Sequence, residues 1–265
     1  MMLLDQIVDH KKEEIARNEK ELPLNALIDI LAAMEPPKKF RLHISNNSGM
    51  AIIAEIKRAS PVRGLLCEDF NPEKLAKTYQ EGGAKAISVI TEQRYFCGRG
   101  EYISLAKKSA SLPVLRKDFI VSEYQLFESR VLGADAVLLI VSILDDETLK
   151  CLLRIARILG MDALVEVHCH AELNRALKVG AGMVGINNRN LKNFQVDLST
   201  TLELAGAIPK EVFLVSESGI ATREDMLRLE QAGVKAALIG ETLVRDADPR
   251  RKLEELLGQL ERKGA

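Results

Sequence analysis

Gly133-Ala134-Asp135-Ala136-Val137-Leu138-Leu139-Ile140-Val141 reads as a helix end running straight into a buried strand. A glycine can close a helix in the left-handed conformation, and the small residues behind it let the chain turn at once into the apolar run. Residues 136–141 are continuously apolar, as in a parallel strand covered on both faces. The same junction recurs as Gly83-Ala84-Lys85-Ala86, Gly180-Ala181-Gly182-Met183 and Gly233-Val234-Lys235-Ala236. A repeat of about 50 residues suggests a strand–helix–strand–helix unit used four times. Gly-Ala pairs end many helices, and an open doubly wound sheet would explain one or two of them. Four in phase favour a closed barrel.

Working outward, short apolar runs occur at 51–56, 86–91, 114–117, 136–141, 163–167, 184–187, 212–216 and 236–240. Amphipathic stretches between them, such as 72–81, 122–132, 146–159 and 223–232, predict helices. Alternation of this kind with right-handed crossovers builds a parallel sheet, and eight repeats close it into a (β/α)8 TIM barrel. That fold needs roughly 250 residues, and the chain has 265. Residues 1–265 therefore read as a single barrel domain, with 1–45 as a helical N-terminal extension. In the extension Leu3, Leu4, Ile7, Val8 and Ile15 keep helical spacing, as do Leu24, Leu27, Ile28 and Leu31 after Pro23. Pro36 and Pro37 stop the second helix, since neither has an amide hydrogen to donate.

Composition narrows the function. A net charge of −1, from 37 basic and 38 acidic residues, argues against a nucleic-acid or membrane-surface partner. No apolar run approaches the roughly 18 residues of a membrane span, and the N-terminus lacks a signal-peptide apolar core. Cys67, Cys97, Cys151 and Cys169 form no CxxC pair and read as reduced thiols of a cytoplasmic protein. His168 and His170 could share one face of an extended chain, but without nearby acidic help they match a metal site poorly. A monomer or weak homo-oligomer acting on a small phosphorylated molecule is expected.

In such barrels the chemistry lies at the C-terminal ends of the strands, and ionisable residues follow the apolar runs there. The first run ends in Glu55 and Lys57, the third in Lys117, the fifth in Glu166, the sixth in Asn187 and Arg189, and the seventh in Glu217. Glu55 and Lys57 are two apart and so share a face. One such pair could be a structural ion pair. Five strand ends of this kind point to one crowded mouth, where pKa values are perturbed and general acids and bases arise. The loops after strands seven and eight carry Ser218-Gly219-Ile220 and Ile239-Gly240-Glu241. Barrels of this kind commonly bind phosphate there, so Ser218, Gly219, Gly240 and Glu241 are its expected ligands, with Glu241 offering only its amide.

Longer motifs carry a resemblance. Glu55-Ile56-Lys57-Arg58-Ala59-Ser60-Pro61, Leu115-Arg116-Lys117-Asp118-Phe119-Ile120, Gly185-Ile186-Asn187-Asn188-Arg189-Asn190-Leu191 and Ser216-Glu217-Ser218-Gly219-Ile220 resemble the strand-end signatures of the indole-3-glycerol phosphate synthase family. The helical extension is similar too, and no second barrel is expected after residue 265, as in the family's monofunctional form. The resemblance implies ring closure of 1-(2-carboxyphenylamino)-1-deoxyribulose 5-phosphate with loss of carbon dioxide and water, a lyase step of tryptophan biosynthesis, with no metal or organic cofactor. It makes Lys117 the favoured acid for ring closure, and Lys57 and Glu166 the donor and base for water loss. Which lysine serves which step stays open, and Lys57 could also reach the phosphate. Glu55 and Asn187 would orient these groups, and Glu217 would complete the polar network. Arg189 and Ser60 would hold the carboxylate, and Phe96, Phe119 and Leu191 would wall the aromatic ring. The family often has serine after the Ser-Pro of the first loop, where this chain has Val62. A related aldose–ketose isomerase would need only one acid and one base, and an inert phosphosugar binder would need neither.

Overall fold

Gly83, Gly133, Gly180 and Gly233 all adopt left-handed backbone, with φ of 92, 95, 83 and 91°. Each follows a helix: Pro72–Glu81, Glu123–Val131, His170–Lys178 and Arg223–Gln231. Gly160, with φ 75°, closes Asp146–Ile158 in the same way, so the device is not confined to the four in-phase junctions. The structure is a computed structural model that describes residues 3–46, 49–67, 69–190 and 194–259.

The strands are β1 (Ala51–Ile56), β2 (Ala86–Ile90), β3 (Val114–Lys117), β4 (Ala136–Ile140), β5 (Asp162–Val167), β6 (Met183–Asn187), β7 (Phe213–Glu217) and β8 (Ala236–Ile239). All pair in parallel, and β1 pairs with both β2 and β8, which closes the barrel. The runs read from sequence match these strands closely. The seventh starts one residue later than expected because the Val212 amide is taken by the Pro209 carbonyl of the preceding turn. Glu217 is the last residue of β7, paired with Asn187 of β6 and Leu238 of β8.

Alternation along each strand sorts the side chains. Ile52, Ala54, Val137, Leu139, Val165 and Val184 face the helices. Ala51, Ile53, Ala86, Leu115, Ala136, Leu138, Leu164, Met183, Val215 and Leu238 fill the barrel interior. Two residues beyond those apolar positions stand Glu55, Lys117, Glu166 and Glu217. A strand period of two therefore puts these ionisable groups directly above the inner core.

The extension forms α1 (Leu3–Glu21) and α2 (Leu24–Leu31), as the spacing predicts, and a third helix, α3 (Phe40–Ser45), that was not anticipated. Phe40 and Ile44 are fully buried and join the inner cluster, plugging the N-terminal end of the barrel. The Lys38 amide donates to Asp135 Oδ1 at 2.8 Å, and the Arg41 amide to Asp162 Oδ2 at 2.9 Å. Asp135 also accepts from the Val114 amide and from Lys107 Nζ, both at 2.8 Å. Its fully buried carboxylate is thereby satisfied.

Tyr124 Oη donates to the Leu22 carbonyl at 3.0 Å, and Leu27 packs with Ile15 and Tyr124. The opposite end of α1 reaches the mouth, where Leu3, Leu4 and Ile7 line its cavity. The extension thus packs along the outside of the barrel and touches both of its ends.

Candidate active site

A cavity of about 880 Å³ opens at the C-terminal ends of the strands. Every expected site residue except Leu191 lines it; Leu191 lies outside the described residues. On its floor Lys117 Nζ stands 3.1 Å from Glu166 Oε2 and 3.5 Å from Glu217 Oε2. Lys57 Nζ stands 2.8 Å from Glu55 Oε1. Two glycines make this crowding possible. A Cβ on Gly185 would collide with Glu217 Oε1, and one on Gly240 with Glu55 Oε1. Asn187 completes the layer, its Oδ1 accepting the Arg189 amide at 3.0 Å.

The electrostatics follow from burial and partners. Burial works against the Lys117 ammonium, but Glu166, Glu217 and Glu55 outweigh it and raise its pKa. Burial would also raise Glu166, yet Lys117 and His168 hold that carboxyl well below its usual range. Glu217 goes the other way: burial pushes it up, and the charges of Glu166 and Glu55 add to the effect against the pull of Lys117. Neither of its oxygens has a hydrogen-bond partner among the described residues. The floor therefore holds a loaded ammonium, an ionised carboxylate beside it, and a carboxyl that favours its protonated form. Such divergence between neighbouring titratable groups marks acid and base roles.

Phe96 and Phe119 stand with ring centroids 6.3 Å apart and form one apolar wall. Phe96 is held by Glu92, whose buried carboxylate accepts the amides of Arg94, Tyr95 and Phe96 at 3.0, 2.7 and 3.0 Å. Ser60 Oγ accepts the Arg63 amide at 3.1 Å, which engages one of its two lone pairs and leaves the hydroxyl able to donate. Val62 lies on the rim, half exposed.

At the other side of the mouth, Ser218 and Gly219 take φ of 68 and 83°. Left-handed backbone at a serine costs roughly 1–2 kcal/mol and must be held in place. Asn188 holds it: Nδ2 donates to the carbonyls of Glu217 and Ser218 and to Ser216 Oγ, all at 3.0 Å. Gly240 precedes the short helix Glu241–Val244. The Glu241 carboxylate turns to arginines: Arg63 at 2.9 Å, Arg245 at 3.4 Å and Arg189 at 3.5 Å. Its negative charge is thereby compensated by three arginines.

Sequence reasoning passed over several of these groups. Asn188 lies between Asn187 and Arg189, but nothing in the chain tells a loop-anchoring amide from a ligand. Glu92 follows a strand, as the expected site residues do, and His168, read from sequence as lacking acidic neighbours, has Glu166 and Glu172 at 3.3 and 3.0 Å from its ring. Arg245 directly follows a short helix, where a cation reads as a solvated face.

The fold and this polar mouth define an enzyme of the (β/α)8-barrel class. Residues 4–256 match the family described as indole-3-glycerol phosphate synthase. An indole-3-glycerol phosphate synthase of Caldanaerobacter subterraneus subsp. tengcongensis is 50% identical over 244 residues, covering 92% of this chain and 94% of that relative. One from Legionella pneumophila (strain Paris) is 43% identical over 257 residues, covering 96% and 98%. The chain belongs to the indole-3-glycerol phosphate synthase family. Among solved structures, thiamine phosphate pyrophosphorylase from Pyrococcus furiosus superposes with a TM-score of 0.58 at 17% identity, covering 82% of this chain and 96% of that one, a likeness of fold alone.

Proposed function

We propose that this mouth converts 1-(2-carboxyphenylamino)-1-deoxyribulose 5-phosphate into indole-3-glycerol phosphate, the family's ring-closing decarboxylation in tryptophan biosynthesis. The observation that carries the division of labour is the Lys117 ammonium, 3.1 Å from Glu166 and facing the cavity. The ring carbon bearing the carboxylate attacks the ketone carbon, pushed by the anilino nitrogen's electron pair. Lys117 protonates the ketone oxygen as charge develops there. Breaking the bond to the carboxylate releases carbon dioxide and returns its electron pair to the ring. The new hydroxyl then leaves as water with a proton from Lys57, while Glu166 removes a proton from the neighbouring carbon. Two protons are given and one is taken, so one enters from solvent per turnover. This balances the carboxylate charge lost with carbon dioxide.

The partners suit these roles. Once Lys117 has given up its proton, Glu166 faces one cation fewer and becomes more basic, so the acid step readies the base. Glu55 orients Lys57, whose ammonium could also reach the phosphate. Asn187 and Glu217, whose carboxyl contacts Lys117 at 3.5 Å but makes no hydrogen bond among the described residues, are available to a sugar hydroxyl or the anilino nitrogen. Arg189 and Ser60 take the carboxylate, with Arg189 drawn from Glu241. Phe96 and Phe119 enclose the ring. The phosphate sits on the backbone of Ser218, Gly219, Gly240 and Glu241. An isomerase reading leaves the second lysine and Arg189 without work, and an inert binder leaves the perturbed floor unexplained.

Residues 1–265 act as one barrel domain with 1–45 as its extension, a reading supported by the Phe40 and Ile44 plug. Among the described residues no helix is long and apolar enough to cross a membrane. Cys67, Cys97, Cys151 and Cys169 are free thiols, which suits the cytoplasm.

The purified protein is expected to turn over the carboxyphenylamino substrate with a rise in indole fluorescence and no added metal. No turnover, or complete loss in a chelator, would overturn the assignment. Gly219→Val tests the phosphate position. The left-handed backbone and a collision with Val196 both oppose a side chain there. Strain of about 1–3 kcal/mol should raise KM roughly tenfold or more while kcat changes little. An unchanged KM would move the phosphate elsewhere.

A further inference from the structure

We propose that His168 is a positioning residue for Glu166, its imidazolium clamped between Glu166 and Glu172 so that the carboxylate stays aimed and ionised beside Lys117. The proposal rests on the role of base given to Glu166 above. His168 directly follows β5, and its amide donates to Glu172 Oε2 at 2.7 Å. The ring then turns Nδ1 to that same oxygen at 3.0 Å and Nε2 toward Glu166 Oε1 at 3.3 Å. A neutral imidazole carries one N–H, and its other nitrogen presents a lone pair. In either tautomer that lone pair would face a carboxylate. The doubly protonated ring alone suits both neighbours. Burial opposes the charge, but Glu166 and Glu172 hold the ring's pKa up at about 10. Nε2 makes no well-directed hydrogen bond, so the contact with Glu166 is an ion pair, acting through charge and position.

Glu166 is thus held from two sides, by Lys117 on Oε2 and His168 on Oε1. The other charges in reach are Glu217 from β7 and Glu55 from β1, both acting on Lys117. In a dry site an ammonium and a carboxylate in contact can neutralise each other by moving one proton. That hop would discharge the acid and occupy the base at once. A second cation on the far carboxylate oxygen opposes it. His168 keeps Lys117 loaded before ring closure, and keeps Glu166 in place after Lys117 has given its proton away.

The test begins with the free wild-type protein, ¹⁵N-labelled at histidine and followed by NMR across pH. The His168 ring should remain doubly protonated above pH 8, and Glu172→Gln should lower its titration. A His168 ring titrating between pH 6 and 7 would overturn the proposal. This measurement uses no substrate, so its failure is distinct from failure of the proposed function, which would show as absent turnover in the wild type. His168→Asn should then lower kcat by about 10–100-fold, at or below the low end of the roughly 10²–10⁴-fold that losing the base itself would cost, with KM nearly unchanged. The acidic limb of its kcat–pH profile should move to higher pH, because Glu166 loses a cation. His168→Arg, which restores the charge, should move that limb back. A His168→Asn enzyme with an unmoved profile would reduce His168 to a packing residue. If neither variant folds, the titration of the wild-type ring decides alone.

Discussion

Lys117→Ala is expected to lower kcat by roughly 10³-fold or more, about 4 kcal/mol of transition-state stabilisation, with KM within a few-fold of the parent. The asymmetry follows from the geometry of the floor. In the free site Lys117 Nζ is already engaged with Glu166 and Glu217 at 3.1 and 3.5 Å, so it has little further to offer the ground-state substrate. Its contribution grows as negative charge develops on the ketone oxygen. Lys117→Arg sharpens the test. Arginine keeps the charge but does not give up a proton in this pH range, and so should also lose at least a hundredfold. Full activity in Lys117→Arg would show that charge, not proton donation, is what the position supplies. A rise in KM with kcat unchanged in Lys117→Ala would remove Lys117 from the chemistry.

Lys11→Met is expected to cost about 3 kcal/mol of stability, the scale for breaking a buried ion pair by removing one partner. In a protein of this size that lowers Tm by roughly 6–10 °C. Lys11 is 1% exposed, and its Nζ lies 3.0 Å from both Asp118 Oδ1 and Glu14 Oε1. The other oxygen of Asp118 accepts from Thr91 Oγ1 at 2.5 Å and Arg116 Nη2 at 3.1 Å. Without the ammonium, two buried carboxylates lose their shared cation. A pH signature accompanies the loss. Burial would raise Asp118, but Lys11 and Arg116 hold it down at about 2. A carboxyl depressed on folding contributes stability above its ordinary value near 4, and that stability is lost as pH falls through about 2. In Lys11→Met the Asp118 pKa rises, so acid unfolding should begin at higher pH. Parent-like acid unfolding would mean that Arg116 alone holds Asp118.

The barrel was legible because its evidence is local and repeated. A glycine behind a helix and an unbroken apolar run leave one arrangement, and the left-handed φ of Gly83, Gly133, Gly180 and Gly233 bears it out. The mouth was legible for a related reason: Glu55, Lys117, Glu166 and Glu217 each stand two residues beyond an inward-facing apolar side chain. The plug formed by Phe40 and Ile44 was not. Six residues after a double proline have no long periodicity to read, and their burial depends on the open end of a barrel closed by strands far along the chain. Lys11 was hidden for the same reason, its partner Asp118 lying more than 100 residues away.

By itself, then, the sequence determined the eight-fold alternation, the glycine junctions and the set of charges that face inward, because each depends on residues within a few positions of one another. Only the tertiary structure decided how those charges pair. That Glu166 is shared between Lys117 and His168 depends on distances across the barrel, as does the lack, among the described residues, of a hydrogen bond to either Glu217 carboxyl oxygen. The same holds for Gly185 and Gly240, which leave room for the Glu217 and Glu55 carboxylates. Pairing, desolvation and free volume are properties of residues that meet only when the barrel closes.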